Sequence, residues 1–358
     1  ITATTTANIT SANGDIRLVS ATGIVLGGVI TTNANVALTA TAGSILDLDT
    51  DNTVDVIANG LRLVAGIGAG ESDNHLETTV ATLSARATSG GVFVTETDSL
   101  LIDSVAVTVQ SVNADHSLTE TIEAAQAEVR TTDGSGSIVI VTGGDLTVNS
   151  AIAAHGSGNV LLNSAGAFAL NADLLSGSGH ITIAVTGSLN LSADIATAGT
   201  GTVSLTANAI TATVTSDITS ANGDIRLVAT TDIVLGGVIT TSANVSLIAT
   251  AGSITDGDND NSTDIVAAGL RLVAGTTIGM AANHIETTVA TLSARATADG
   301  LFITETDGLV IDSVSVTIQS VNADDTTTAV TDAAQSDLRT TAGNGSLIVV
   351  TGGDLTVN

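Results

Sequence analysis

The sequence predicts an all-β protein, a parallel β-helix or β-solenoid with about 22 residues per coil and three short strands in each coil. Three observations predict it. Residues 134–220 repeat at that period, as GSGSIVIVTGGDLTVNSAIAAH from Gly134, GSGNVLLNSAGAFALNADLLS from Gly156, GSGHITIAVTGSLNLSADIATA from Gly177 and GTGTVSLTANAITATVTSDITS from Gly199. Within each repeat aliphatic residues alternate with small or polar ones, the period-two signature of a half-buried strand. The composition is 43% hydrophobic but only 1% aromatic, with three Phe and no Trp, Tyr, Pro or Cys. A narrow solenoid interior has room for aliphatic side chains and little room for rings.

The elements of a coil follow in order. A Gly/Ser/Asn corner, which permits a tight bend, precedes the first alternating pair: Ile138 and Ile140, Val160 and Leu162, Ile181 and Ile183, Val203 and Leu205, Ile225 and Leu227. A second pair follows as Leu146 and Val148, Phe168 and Leu170, Leu189 and Leu191, Ile233 and Leu235. A lone aliphatic closes the turn at Ile152, Leu174, Ile195 and Ile239. The coil from Gly199 slips by one residue and sets Ile210, Ala212 and Val214 where the second pair belongs. Each strand can pair only with its counterpart one coil along, so the ladders are parallel, and strand twist favours right-handed winding. One coil alone buries too little apolar surface to offset its chain entropy, so stability must come from stacking.

A longer period overlies the short one. SANGDIRLV at Ser11 returns at Ser220, GLRLVAG at Gly60 returns at Gly269, and VTGGDLTVN at Val141 returns at Val350, each at an offset of 209. Residues 1–149 match 210–358 without a gap, 102 of 149 positions being identical. The chain therefore divides into a first unit, 1–209, and a second, incomplete copy, 210–358, of a polypeptide expected to continue in both directions. Differences such as Val92/Leu301, Val94/Ile303 and Val109/Ile318 exchange one aliphatic for another, as expected of core positions. Within a unit, regular coils run to about Ala42, an acidic stretch interrupts them, and looser strands resume from Gly60 to Val112. Polar segments at about 113–133 and 322–342 are then expected to form projecting loops, each a short helix or a hairpin, before coils restart at Gly134.

The net charge is −28, with 36 acidic residues against eight Arg and no Lys. That balance argues against nucleic acid as a partner and supports solubility. No apolar run reaches the length of a membrane-spanning helix, and without Cys there is no disulfide framework or thiolate site. A rod of this charge is expected to bundle with copies of itself as divalent cations rise.

The acidic stretch is the leading candidate site. Asp47, Asp49, Asp51, Asn52 and Asp55 recur as Asp256, Asp258, Asp260, Asn261 and Asp264. Alternate carboxylates on a tight loop can converge as hard oxygen ligands for calcium, and the spacing resembles the opening of an EF-hand-type loop. Ala58 and Ala267 stand where such a loop places its bidentate Glu, and a solvated acidic turn is the competing reading. Of five histidines only His75/His284 recurs, two residues before Glu77/Glu286; one His and one carboxylate are too few for a metal centre or a general base, so the histidine is expected as a polar residue at the surface. Glu96, Asp98 and Asp103, with Glu305, Asp307 and Asp312, could mimic the acid clusters of β-helix polysaccharide lyases and hydrolases. Those enzymes also use cations and aromatic platforms, which this composition does not supply, so no catalytic residue is predicted and the chain reads as a non-enzyme.

The corner-strand pattern of GSGNVLLN and GTGTVSLT, together with GGDLTVNS and GDIRLVATTDIVLGG, resembles the repeats of filamentous-haemagglutinin-type bacterial exoproteins. The resemblance implies a very long protein, secreted or attached to the bacterial surface through a two-partner or similar route, that serves in adhesion or as a surface fibre. The expected function is accordingly a non-catalytic structural repeat array, a stiff fibre, stalk or sheath assembled with copies of itself. The alternative is an adhesin that binds glycans or cell surfaces through the projecting loops, and a polysaccharide lyase or hydrolase comes third.

Overall fold

The computed structural model describes residues 1–49, 52–258 and 260–358, and among these every regular element is a β-strand. The chain forms two compact units: residues 1–166 with 323–326, and residues 167–322 with 327–358. Each is a parallel β-solenoid.

In the first unit, strand Ile16–Ser20 pairs with Asn35–Ala40, which pairs with Val56–Ala65, which pairs with Leu76–Ala87, all in parallel. The register runs Ile16 to Val36 to Leu61 to Leu83. Because the alternation is in phase from strand to strand, these positions stack inward, and Val36, Leu38, Leu61, Leu63 and Leu83 are fully buried. A second ladder joins Ile24–Leu26, Ile45–Asp47, Gly68–Ala69 and Gly91–Glu96. Regular three-strand coils follow, with Ile138 over Val160, Leu146 over Leu100 and Ile152 over Val129.

The second unit repeats the plan. One ladder takes in Ile181–Val185, Val203–Ala207, Ile225–Ala229, Asn244–Ala249, Ile265–Ala274 and Ile285–Ala296. The others stack Phe168 on Leu189 and Leu174 on Ile195. In the coil that slips, Ile210 keeps its place over Ile233 and Ala212 is buried, but Val214 faces solvent, because residues 213–216 form a turn closed by Ser216 N–H donating to Thr213 O.

Two features depart from three short strands per coil. Where the sequence has few corner residues, adjoining sides fuse into the ten-residue strand Val56–Ala65 and the twelve-residue strand Leu76–Ala87. The longer strand then serves three successors: Leu76–Thr78 pair with Val94–Glu96, Thr82 and Leu83 with Leu101 and Ile102, and Ala85–Ala87 with Val129–Thr131. A straight side is thus split, and a β-hairpin leaves the chain at the new corner.

That hairpin pairs Val105–Val112 antiparallel with Leu118–Gln126, with a bulge between Val105 and Val107, and Val314–Val321 with Thr327–Gln335 form its counterpart. Of residues 113–133, expected as a projecting loop, 113–126 are therefore the turn and return strand of a hairpin that begins earlier, while Val129–Thr131 already belongs to the coils, and the hairpin's root lies flat on them. Val105 and Val107 are buried there; Asn35 Nδ2 donates to Ala106 O at 3.0 Å, and Thr108 N–H donates to Asp15 Oδ2 at 2.7 Å. Gln126 Nε2 donates to Leu63 O at 3.1 Å, while Arg17 Nε meets Glu123 Oε1 at 2.6 Å. Gly60 sits beneath this root: a Cβ there would lie 2.7 Å from Asn35 Oδ1 and 3.2 Å from Val105 Cγ1. In the second unit Thr202 Oγ1 accepts from Gln319 N–H at 3.0 Å and Thr182 Oγ1 accepts from Val321 N–H at 2.9 Å, so the hairpin straps successive coils.

Candidate functional site

Asp47 ends the strand Ile45–Asp47, Asp55 directly precedes Val56–Ala65, and Glu77 is the second residue of Leu76–Ala87. Asp55 and Glu77 are one coil apart and tied by the ladder: Asp55 N–H donates to Glu77 O at 2.8 Å, and Glu77 N–H donates to Asp55 Oδ2 at 3.0 Å. Each of the three carboxylates offers an oxygen within 4.8 Å of the other two, and Asp256, Asp264 and Glu286 form the same trio. In the second copy the three side chains are 5%, 4% and 8% exposed. Among the described residues Asp47 Oδ2, Asp256 Oδ2 and Glu286 Oε2 are buried and meet no N–H or hydroxyl donor, and the side-chain neighbours of these acids are carboxyls: Asp55 for Asp47, Asp258 for Asp256 and Asp264 for Glu286. Burial, then the neighbouring Asp47 carboxylate, pushes Asp55 up to about 8. Burial above all pushes Asp264 up to about 8 and also raises Glu286, with the adjoining carboxylates adding to both. A surface depression of about 480 Å³ lined by Asp49, Thr53 and Asp55 leads to the first trio from outside.

The structure thus brings together two of the five residues expected in each loop and adds a glutamate. Asp49 and Asp258 give their backbone N–H groups to Asp47 and Asp256, at 3.2 and 3.1 Å, and stand outside the trios. Asp260 accepts from Ser262 N–H and is exposed, as are Asn52, which has φ of 59°, and Asn261. Asp51 lies outside the described residues. Glu77 and Glu286 were legible from spacing: each lies 22 residues, one coil, after Asp55 or Asp264, and residues one coil apart are ladder neighbours.

The other acidic candidates have separate environments. Glu96 is buried and accepts from Thr78 Oγ1 at 2.8 Å, Val80 N–H at 2.9 Å and Asp98 N–H at 3.4 Å; burial pushes it up to about 7. Glu305 repeats the arrangement with Thr287, Val289 and Asp307. Asp103 instead accepts from Ser104 N–H and Asn149 Nδ2. His75, expected at the surface, is buried. Its Nε2 lies 3.0 Å from Ala323 O, so that nitrogen carries the proton, and Nδ1 accepts from Thr95 Oγ1 at 2.8 Å. Its ring lies 5.9 Å from that of Phe93, and burial lowers its affinity for a second proton. His284 has the same Nδ1 contact, with Thr304, and the same neighbour, Phe302.

The fold and these sites define the class: a β-solenoid built from a long tandem repeat, with a strapping hairpin and a buried carboxylate trio in each copy. No family model, curated protein or solved structure matches the chain.

Proposed function

We propose that the chain is a structural repeat segment of a bacterial extracellular protein, a stiff non-catalytic element of a surface fibre, stalk or sheath that assembles with copies of itself. The observation that carries this reading is the recurrence of one complete assembly at an offset of 209 residues while its sequence drifts. The hairpin ion pair is Arg17 with Glu123 in one copy and Arg226 with Asp332 in the other, at 2.6 and 3.0 Å. What is maintained is the geometry of a strapped coil, the property that an array working by length and repetition requires. One surface favours a second reading, adhesion to glycans or cell surfaces: Val112, Leu118 and Ile122 of the first hairpin are 68%, 62% and 62% exposed. Electron microscopy of source cells, labelled with an antibody against the 209-residue unit, separates the two. Label repeating along fibres or over a continuous coat is expected. Label confined to fibre tips would favour adhesion, and label only on released soluble protein would overturn the structural reading.

A further inference from the structure

We propose that each copy carries a buried site for a hard divalent cation of the calcium class, formed by Asp47, Asp55 and Glu77 in the first and by Asp256, Asp264 and Glu286 in the second. The donor set is oxygen only, which selects calcium or magnesium over softer metals. Oxygens bound to calcium at 2.3–2.6 Å lie no more than about 5 Å from one another, and those of each trio lie within 4.8 Å. Burial separates these residues from a solvated acidic turn. Carboxylate oxygens taken out of water without a donor or cation are costly, yet among the described residues Asp256 Oδ2 and Glu286 Oε2 in one copy, and Asp47 Oδ2 in the other, meet no N–H or hydroxyl donor, and these acids face neighbouring carboxyls instead. Among the described residues no ion pair joins an arginine to a trio carboxylate. Arg17 and Arg62 pair with Glu123, Arg86 and Arg130 with Glu128, Arg226 with Asp332, and Arg295 with Asp337.

The position of the ion follows from the strands. It joins the end of Ile45–Asp47, the entry to Val56–Ala65 and the start of Leu76–Ala87, tying adjacent coils together at the acidic interruption. The three oxygens leave coordination positions to water, consistent with the depression beside Asp49 and Asp55.

Isothermal titration of CaCl2, and separately MgCl2, into the chelator-treated full chain at pH 7.5 tests the proposal. Two ions per chain are expected. Asp264→Asn should reduce calcium uptake to one ion while leaving the first-copy site as an internal control. Asp55→Asn combined with Asp264→Asn should weaken binding at least tenfold at both. Asp103→Asn combined with Asp312→Asn, whose carboxylates accept from Asn149 and Asn358 away from the trios, should leave both intact. Calcium should also raise the melting temperature of the unmodified chain by several degrees, a readout independent of whether any variant folds. No uptake by the unmodified chain, or uptake unchanged in the Asp55/Asp264 double variant, would overturn the assignment and leave the trios as carboxyls sharing protons.

Discussion

Glu96 shows how a charged residue becomes part of a solenoid interior. Its carboxylate takes a hydroxyl and two backbone N–H donors, joining the strand Gly91–Glu96 to Leu76–Ala87. Replacing it by Ala leaves the Val80 N–H buried without that acceptor and opens a cavity, at a cost of about 2–4 kcal/mol. Glu96→Gln keeps one oxygen for Thr78 and Val80 and should cost roughly 1 kcal/mol. Denaturant titration of both variants checks the order, and equal losses would contradict the assigned hydrogen bonds. The alternation Val92, Val94, Glu96 already turns this acid inward; what the pattern does not mark is the fused strand Leu76–Ala87 that supplies its Thr78 and Val80 donors. For Glu77 the informative neighbour is Asp55, one coil earlier, and not the adjacent His75.

The hairpin is the element least legible in the sequence. VAVTVQSV alternates with period two, and that pattern is the same whether the strand joins a parallel ladder or turns back on an antiparallel partner. By contrast, the regular coils were readable because Gly/Ser corners recur in phase with the aliphatic pairs, while the fused strands were not, since few corner residues punctuate them. Val316 is 1% exposed at the root of the second hairpin, where burying a valine contributes about 1.5–3 kcal/mol. Val316→Asp should therefore lift the hairpin. Limited proteolysis within residues 322–328 should accelerate at least tenfold while far-ultraviolet circular dichroism retains its strand signal. Unchanged cleavage would show that the polar contacts of Thr317 and Gln335 hold it unaided.

For the whole molecule, the buried acids reverse the usual dependence of stability on pH. Asp55 and Asp264, raised from 3.8 to about 8, and Glu96, raised from 4.5 to about 7, favour the folded state when protonated. Their stabilisation is complete below the unfolded values and is lost as pH rises through the folded ones. His75 and His180 shift downward from 6.5, so their opposing effect is felt only below that pH. Asp115, Asp260 and Asp324, held below 3.8 by hydroxyl and backbone hydrogen bonds from Ser117, Ser262 and Thr326, act in more acid solution still. Between pH 6.5 and 8 the sign is therefore unopposed: the chelator-treated chain should melt lower as pH rises, by roughly 1.4 kcal/mol per pH unit for each acid that must ionise. Scanning calorimetry across that range checks it, and a melting temperature that climbs would contradict the buried placement of the trios. Excess calcium should flatten the slope.

The strapping hairpin also fixes an order of completion. Val321 closes on Thr182 across 139 residues of chain, and Gln319 on Thr202 across 117. At roughly 5–20 residues per second of synthesis, a coil wound early waits on the order of ten seconds for the segment that covers its outer face. Winding and sealing are separate events in the life of the chain, and in the interval each newly made stretch of coil presents an open seat for a hairpin of its own kind.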